Sequence, residues 1–458
     1  MIRLTHIVLV LMCLPSHAQV PVVSIPQPAT FRQVFPQVTP LKARSYPWSS
    51  GDHGVTRFPG TVDLNHDQRI SQQEQHKIIM QEIEEHRKIM KERQRRLQDQ
   101  VYDTGLNIPP ISYTLQGTPS KERAIYHRAY TEIKQMLSGG KKISLKRAVF
   151  LTEQAYNPSL DWVWFDQTIS GMVDHLAALM EQHSIEKDDQ VARNMMLFRF
   201  FTDTLTSRNG GGEFTTTSYP FYYDFEDFWG KLDYTKQFVS KLLQTGTGQC
   251  HSLPLLYMIL AEETGAQAHL AFSPSHSYIK FQDAFGNWHN VELTNHMLIS
   301  DQFLMYSGFI KSEALRNKIY LAPLSARELL GQVLMDLAGG YVKQFGYEDF
   351  VKACTNLALN TGLKSMSIHM HNHNYYRALL ASIQRQYYGH GLTREQFKSD
   401  DRAGKVYEQW IGSQKHIEKL GYADMPEEHY QRWLQSVQQE GHKQEHRNRM
   451  RQLIGPLE

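Results

Sequence analysis

The chain has 458 residues, of which 41% are apolar and 11% aromatic. This length allows two or three compact units, and the apolar content excludes a globally disordered chain. Lysine and arginine together number 49 against 47 acidic residues. The charge therefore gives no reason to expect nucleic acid or another highly charged polymer as a partner.

Residues 1–18 predict an export signal. Arg3 provides a positive start, Ile7 to Leu14 form a short apolar run, and Ser16 and Ala18 place small residues before a cleavage site. The run is too short to span a bilayer, and no later segment is long and apolar enough to do so. We therefore expect a protein without a transmembrane segment that works outside the cytoplasm, in the periplasm, at the cell surface or in the medium.

Residues 19–60 are rich in proline, valine, glutamine and serine, which predicts an extended leader. Segment 61–105 begins with a match to the EF-hand calcium loop and continues as a long charged helix. The oxygen ligands would be Asp63, Asn65, Asp67, Arg69 through its carbonyl, Ser71 and Glu74. Gln68 stands where this loop favours glycine. We expect one structural Ca²⁺ and no organic cofactor, and a plain polar turn before a helix is the alternative.

Two regions read as mainly helical. The first, 120–206, divides into pieces near 120–137, 144–156, 160–183 and 190–206. The second, 323–458, contains helix pairs that allow a degenerate tetratricopeptide-like array. Within it, His369, His371 and His373 could bind Zn²⁺ or Cu²⁺ only if they lay on a strand. Their neighbours indicate a helix or a turn, either of which would scatter the three side chains, and a solvated polar turn is the preferred interpretation.

The region 225–322 has a different pattern. A helix at 233–243 leads through a glycine-rich turn to a second helix at 251–263, and three short strands follow at 267–272, 276–282 and 288–293. Cys250 lies at the first turn of the second helix, where the positive end of the helix dipole favours the attacking thiolate. A small buried structural cysteine is the alternative, and so is a disulfide with Cys354.

Two further residues complete a possible catalytic group. His276 opens the second strand, and Glu292 lies near the end of the third. On neighbouring antiparallel strands these side chains can face one another. A thiol nucleophile needs a base within reach, and the base needs a third group to orient it. His251, the residue after Cys250, belongs to the second helix, and we expect its side chain on the surface of that helix.

In combination these residues resemble the transglutaminase-like (papain-like) superfamily. Its members carry Gly-x-Cys at a helix start, a His that opens a later strand, and Trp-x-x-hydrophobic-Asp ending in Thr. The matching residues are Gly248-Gln249-Cys250, His276, and Trp288 through Val291-Glu292 to Thr294. The family has Asp where this chain has Glu292, so Asn290 is kept as a fallback orienter. By the same resemblance, Gln244 and Gln249 are candidates for binding the oxyanion.

The resemblance covers about 90 of the 458 residues. It implies an α+β fold with a papain/transglutaminase-like core, in which the cysteine-bearing helix packs on a small antiparallel sheet between mainly helical regions. It also implies acyl transfer by a Cys-His-Glu triad, and we expect a peptidase or amidase that acts on peptides or proteins. A catalytically inactive scaffold of the cell envelope and a calcium-dependent adhesion protein are the alternatives. The oligomeric state has no signal in the sequence.

Overall fold

The computed structural model describes residues 113–208, 214–227, 230, 232–307, 310–388, 393–400 and 403–422. The export signal, the leader, the candidate calcium loop and its helix lie outside these residues, as does the end of the chain. The described residues fall into two compact units, a larger one of 114–379 and 405–422 and a smaller one that contains 380–404. None of the described helices is long and apolar enough to cross a membrane.

Four helices occupy the first helical region. They are α1 (Lys121–Leu137), α2 (Leu145–Tyr156), α3 (Trp162–Gln182) and α4 (Gln190–Thr202). Each begins after a polar side chain that accepts a hydrogen bond from a backbone N–H of the first turn; these capping residues are Ser120, Ser144, Asp161 and Asp189. Such caps satisfy N–H groups that have no partner within the helix, so they define where each helix starts.

The last predicted helix of this region is shorter than expected. It ends at Thr202, because Asp203 is extended, and a hairpin of β1 (Leu205–Arg208) and β2 (Phe214–Ser218) follows. The buried imidazole of His175, on α3, lies 3.0 Å from the Ser207 hydroxyl and 3.2 Å from that of Ser218. These contacts attach both strands of the hairpin to the helical block.

The single helix predicted at 233–243 is in fact two elements. A 3-10 turn (Tyr234–Gln237) is followed by α5 (Val239–Thr245), because Phe238 between them is extended. Gly246 ends α5 in the left-handed conformation, with φ of 73°, which glycine adopts without strain. The chain then forms β4 (Thr247–Gly248), which pairs in parallel with the short strand β3 (Tyr222–Tyr223).

A helix and an antiparallel sheet form the centre of the larger unit. The helix is α6 (Ser252–Thr264), and its residues from Ser252 to Ala261 are all buried. The sheet has the order β5-β6-β7-β8, with strands β5 (His269–Ser273), β6 (His276–Gln282), β7 (Trp288–Glu292) and β8 (Met297–Ile299). The three-residue strand β8 was not predicted, because so short a segment has no measurable alternation.

The remaining elements are mostly helical. They are α7 (Asp301–Ser307), α8 (Ser312–Arg316), α9 (Ala326–Phe345), α10 (Asp349–Leu359), α11 (Met366–Ile383), a π-helical turn (Gln384–Tyr388), α12 (Arg394–Ser399) and α13 (Gly404–Lys419). A capping box of Ser325 and Glu328 starts α9, and one of Thr393 and Gln396 starts α12. The structure is thus a mixed α+β fold with a small antiparallel sheet among helices.

Candidate active site

The turn that carries Cys250 is built on a close approach of backbone to side chains. A β-carbon on Gly248 would lie 2.8 Å from the Ser252 hydroxyl and 3.0 Å from Leu242, so only glycine fits there without displacement. The Ser252 hydroxyl instead accepts a hydrogen bond from the backbone N–H of Gln249, at 3.2 Å. This local contact places Cys250 two residues before the first residue of α6, with only 1% of its surface exposed.

The hairpin between β5 and β6 brings His276 to this turn. Ser273 pairs with His276, so the loop consists of Pro274 and Ser275 alone, and Ser275 has a positive φ of 56°. The Ser275 carbonyl lies 4.0 Å from Cys250 Sγ, within range of a weak hydrogen bond from the thiol. The next residue on the strand, Ser277, donates its hydroxyl proton to the Cys250 carbonyl. The first residues of β6 are therefore attached to the cysteine turn.

Glu292 approaches His276 from the end of β7. The register pairs Lys280 with Asn290, which places His276 and Glu292 on the same face of the sheet. His276 Nε2 and Glu292 Oε2 are joined by a short hydrogen bond. The other carboxylate oxygen accepts from the Thr294 backbone N–H and hydroxyl, at 2.8 and 2.7 Å. Both oxygens of the Glu292 carboxylate are thus occupied, one by the imidazole and the other by Thr294.

The imidazole of His276 also interacts with the thiol. Its second nitrogen, Nδ1, is buried and has no hydrogen-bond partner among the described residues. The Cys250 side chain is near enough to be among the groups that raise the pKa of His276. His276 therefore interacts with both Glu292 and Cys250. Three side chains that are distant in the sequence meet in one buried group.

The electrostatics of the group favour its charged form. Burial lowers the pKa of His276, but the charges of Glu292 and Cys250, with hydrogen bonds to both, outweigh burial and raise the pKa well above its ordinary value. Burial raises the pKa of Glu292, but the charge and hydrogen bond of His276, with the bonds from Thr294, lower it overall. Both shifts favour an imidazolium at His276 paired with a carboxylate at Glu292.

The other candidate residues lie outside this group. Gln244 is exposed on α5, and no contact among the described residues joins it to Cys250. Gln249 is fully buried; its Nε2 donates to the Asp224 carbonyl at 3.4 Å, and its Oε1 has no described partner. Asn290 donates to Asp301 at 2.8 Å and makes no described bond to His276. The structure therefore brings Glu292, and not Asn290, to the imidazole.

Two sequence-based expectations about histidines are wrong. His251 is not on the helix surface: it is 5% exposed, and its Nε2 lies 3.3 Å from Asp336 on α9. His369, His371 and His373 lie in α11 and not in a solvated turn. His371 contacts the Tyr347 hydroxyl, and His373 contacts Ser413 and Trp410. Their separate partners follow from the helical period, which spreads alternate residues around the axis.

The described residues contain no group of three or more His, Cys, Asp or Glu side chains arranged to hold a metal ion. The predicted calcium ligands Asp63 to Glu74 lie outside those residues, so a Ca²⁺ site there stays a prediction. Cys250 and Cys354 are both free thiols, so the alternative of a disulfide between them is not realised. The Cys250 sulfur is therefore a thiol that is not consumed in a disulfide.

Comparison of the chain with protein-family models, with curated proteins and with solved structures finds no match. The functional assignment consequently depends on the geometry of the Cys250–His276–Glu292 group.

Proposed function

We propose that the protein is an exported, cysteine-dependent acyl-transfer enzyme of the transglutaminase-like superfamily that hydrolyses peptide or amide bonds. The observation that supports this function best is the meeting of Cys250, His276 and Glu292, contributed by a helix start and two strands. Nε2 of the imidazole binds the carboxylate, which leaves Nδ1 for the thiol. A relay between nucleophile, base and orienting acid requires that arrangement.

The reaction proceeds through a thioester. Cys250 Sγ, after losing its proton to His276, adds to the substrate carbonyl carbon. The C–N bond breaks as His276 returns the proton to the leaving amine. Water then adds to the thioester carbon, again losing a proton to His276, and the carboxylic acid leaves as the thiol is restored. Glu292 holds the imidazole in one orientation and stabilises its charged form.

The start of α6 can stabilise the tetrahedral intermediate. The backbone N–H of Cys250 has no acceptor among the described residues and lies at the positive end of the helix dipole. A donor held in that place can bind an oxyanion that develops on the carbonyl attacked by the same residue. Gln249, with its buried amide, is the second candidate donor. Water needs no binding site of its own, so we propose water rather than an amine as the acyl acceptor.

One observation favours a second candidate function, a catalytically inactive binding module. Cys250 is only 1% exposed, so a substrate carbonyl reaches Sγ only after a local opening. An enzyme must make that opening readily, whereas an inactive scaffold need not. The two functions therefore differ in how fast the thiol reacts while the chain stays folded.

Alkylation by iodoacetamide near pH 6 tests the proposal. Cys354 provides an internal control, because it is fully buried on α10 and reacts only when the chain unfolds. We expect rapid modification of Cys250, protection of Cys354, and loss of the rapid reaction in the His276→Ala variant. If both thiols react only in denaturant, the protein is the inactive scaffold and the proposed enzyme is wrong.

A further inference from the structure

Cys250 and His251 are consecutive residues whose side chains face different elements. Cys250 faces β6, whereas His251 turns towards Asp336 on α9, with 3.3 Å between Nε2 and Oδ2. Glu153 on α2, which is 3% exposed, adds a buried carboxylate to this group. The three side chains line one cavity together with the aromatic rings of Tyr156, Tyr234 and Phe238.

Glu153 forms the N-terminal cap of α5. Its carboxylate accepts the backbone N–H groups of Val239 and Ser240, at 2.5 and 2.8 Å. Phe238, the residue before the helix, makes no side-chain cap of its own. α5 leads through Gly246 into the turn that carries Cys250. By capping α5, Glu153 therefore fixes the helix that precedes this turn.

Asp336 is itself held in place on α9. Its Oδ1 accepts from Gln332 Nε2 at 3.0 Å, and its backbone carbonyl accepts from the Tyr234 hydroxyl at 3.4 Å. The contact between His251 and Asp336 therefore connects the residue after the nucleophile to a fixed point on a long, buried helix. Side chains whose partners are fixed in this way hold the geometry of a site.

We propose that His251 is a positioning residue: through Asp336 it fixes the turn that carries Cys250, so that the thiol faces His276. This inference rests on the proposed function. Its physical basis is that the two ends of the turn are held by different helices. On one side α2 caps α5 through Glu153, and on the other α9 contacts His251 through Asp336. Release of either end lets Cys250 rotate away from the imidazole. Misplacement of a nucleophile by about 1 Å can reduce its rate by about 100-fold.

The test compares alkylation rates of the full chain at one pH with four variants. His251→Leu removes the contact to Asp336, and Asp336→Asn removes its charge. His251→Gln keeps an N–H donor near the place of Nε2. His175→Leu is the matched control, because it removes a buried imidazole whose polar and aromatic partners, Ser207, Ser218, Phe200 and the Leu205 backbone, do not include Cys250 or His276. Cys354 reports unfolding in every sample.

We expect His251→Leu and Asp336→Asn to slow the reaction of Cys250 with iodoacetamide about tenfold while Cys354 stays protected. His251→Gln should stay within about threefold of the wild-type rate, since its side-chain amide keeps an N–H group near Asp336 Oδ2, which has no hydrogen bond of its own among the described residues. His175→Leu should leave the rate unchanged. A merely structural role of His251 would expose both thiols together, and His251→Gln would not rescue it.

A wild-type rate in His251→Leu, with Cys354 protected, overturns the inference and leaves the proposed function intact. If His251→Leu does not fold, Asp336→Asn decides in the same way. A wild-type protein whose Cys250 reacts only in denaturant overturns the proposed function, and this inference with it.

Discussion

Thr294 turns the carboxylate of Glu292 towards His276. Its backbone N–H and its hydroxyl both bind Glu292 Oε1, at 2.8 and 2.7 Å, which leaves Oε2 for the imidazole. A glutamate has one more rotatable bond than an aspartate, and ordering it costs side-chain entropy. Two bonds from a residue only two positions away restrict that freedom. The local sequence Glu-x-Thr thus makes glutamate a competent orienting group.

The reactivity of Cys250 should depend on the charge of Glu292 as well as on its shape. Glu292→Gln keeps the size but removes the charge that raises the pKa of His276, so the imidazolium should be lost at a lower pH than in the wild type. We expect alkylation of Cys250 at pH 6 to slow about tenfold. This factor corresponds to a decrease of about one unit in the pKa of His276, or about 1.4 kcal/mol. Glu292→Asp, which keeps the charge, is the control. Equal pH profiles for wild type and Glu292→Gln would contradict this role.

Stability should depend on the ionisation of Glu153. Burial raises the pKa of Glu153 from its ordinary value of 4.5 to about 7, against hydrogen bonds from Ser240 and Val239 and the charge of His251. The pKa of Glu153 is higher in the folded state than in the unfolded state. Its contribution to the free energy of unfolding is therefore complete below pH 4.5 and is lost as the pH rises through 7. The loss amounts to about 3 kcal/mol.

Urea unfolding of wild type and Glu153→Gln at pH 5 and pH 8 measures this dependence. The wild type should lose stability relative to the variant between the two pH values, since glutamine does not ionise. The variant itself should be less stable at pH 5, because its amide nitrogen cannot accept one of the two backbone bonds. A constant difference between the two proteins across this range would mean that Glu153 does not titrate there.

Gly248→Ala should disturb the cysteine turn. The new β-carbon forces the Ser252 hydroxyl off the backbone N–H of Gln249. We expect a loss of about 1–3 kcal/mol in the free energy of unfolding, together with slower alkylation of Cys250. Gly412→Ala is the matched control, because that position in α13 has open space and no positive φ. There alanine should be neutral or stabilising by up to about 1 kcal/mol. Thermal unfolding of both variants checks the contrast.

The EF-hand-like segment should bind Ca²⁺ weakly. Its ligand pattern is complete except for Gln68 at the glycine position, and a single loop has no partner loop to stabilise it. Titration calorimetry of the full chain should give a binding heat that Asp63→Ala abolishes, whereas Gln72→Ala, at a position without a ligand role, should retain it. Absence of heat in the wild type would leave a polar turn as the better interpretation.

The elements that the sequence predicted well have local causes. Helix starts at Ser120, Ser144 and Ser325 follow from capping side chains a few residues away, and β6 follows from alternation within its own length. The break inside 233–243 and the strand β8 were missed. Extended backbone at Phe238 and pairing of three residues with β7 depend on neighbours distant in the sequence.

By itself the sequence determined which residues could carry the chemistry, because a cysteine at a helix start and an acid sixteen residues after a histidine are local and short-range patterns. Only the tertiary structure decided that Glu292 rather than Asn290 meets the imidazole, and that His251 is buried against Asp336. The cap of α5 by Glu153 joins residues 86 positions apart. Burial and the choice of partner arise when distant segments pack together, and no period or spacing along the chain encodes them.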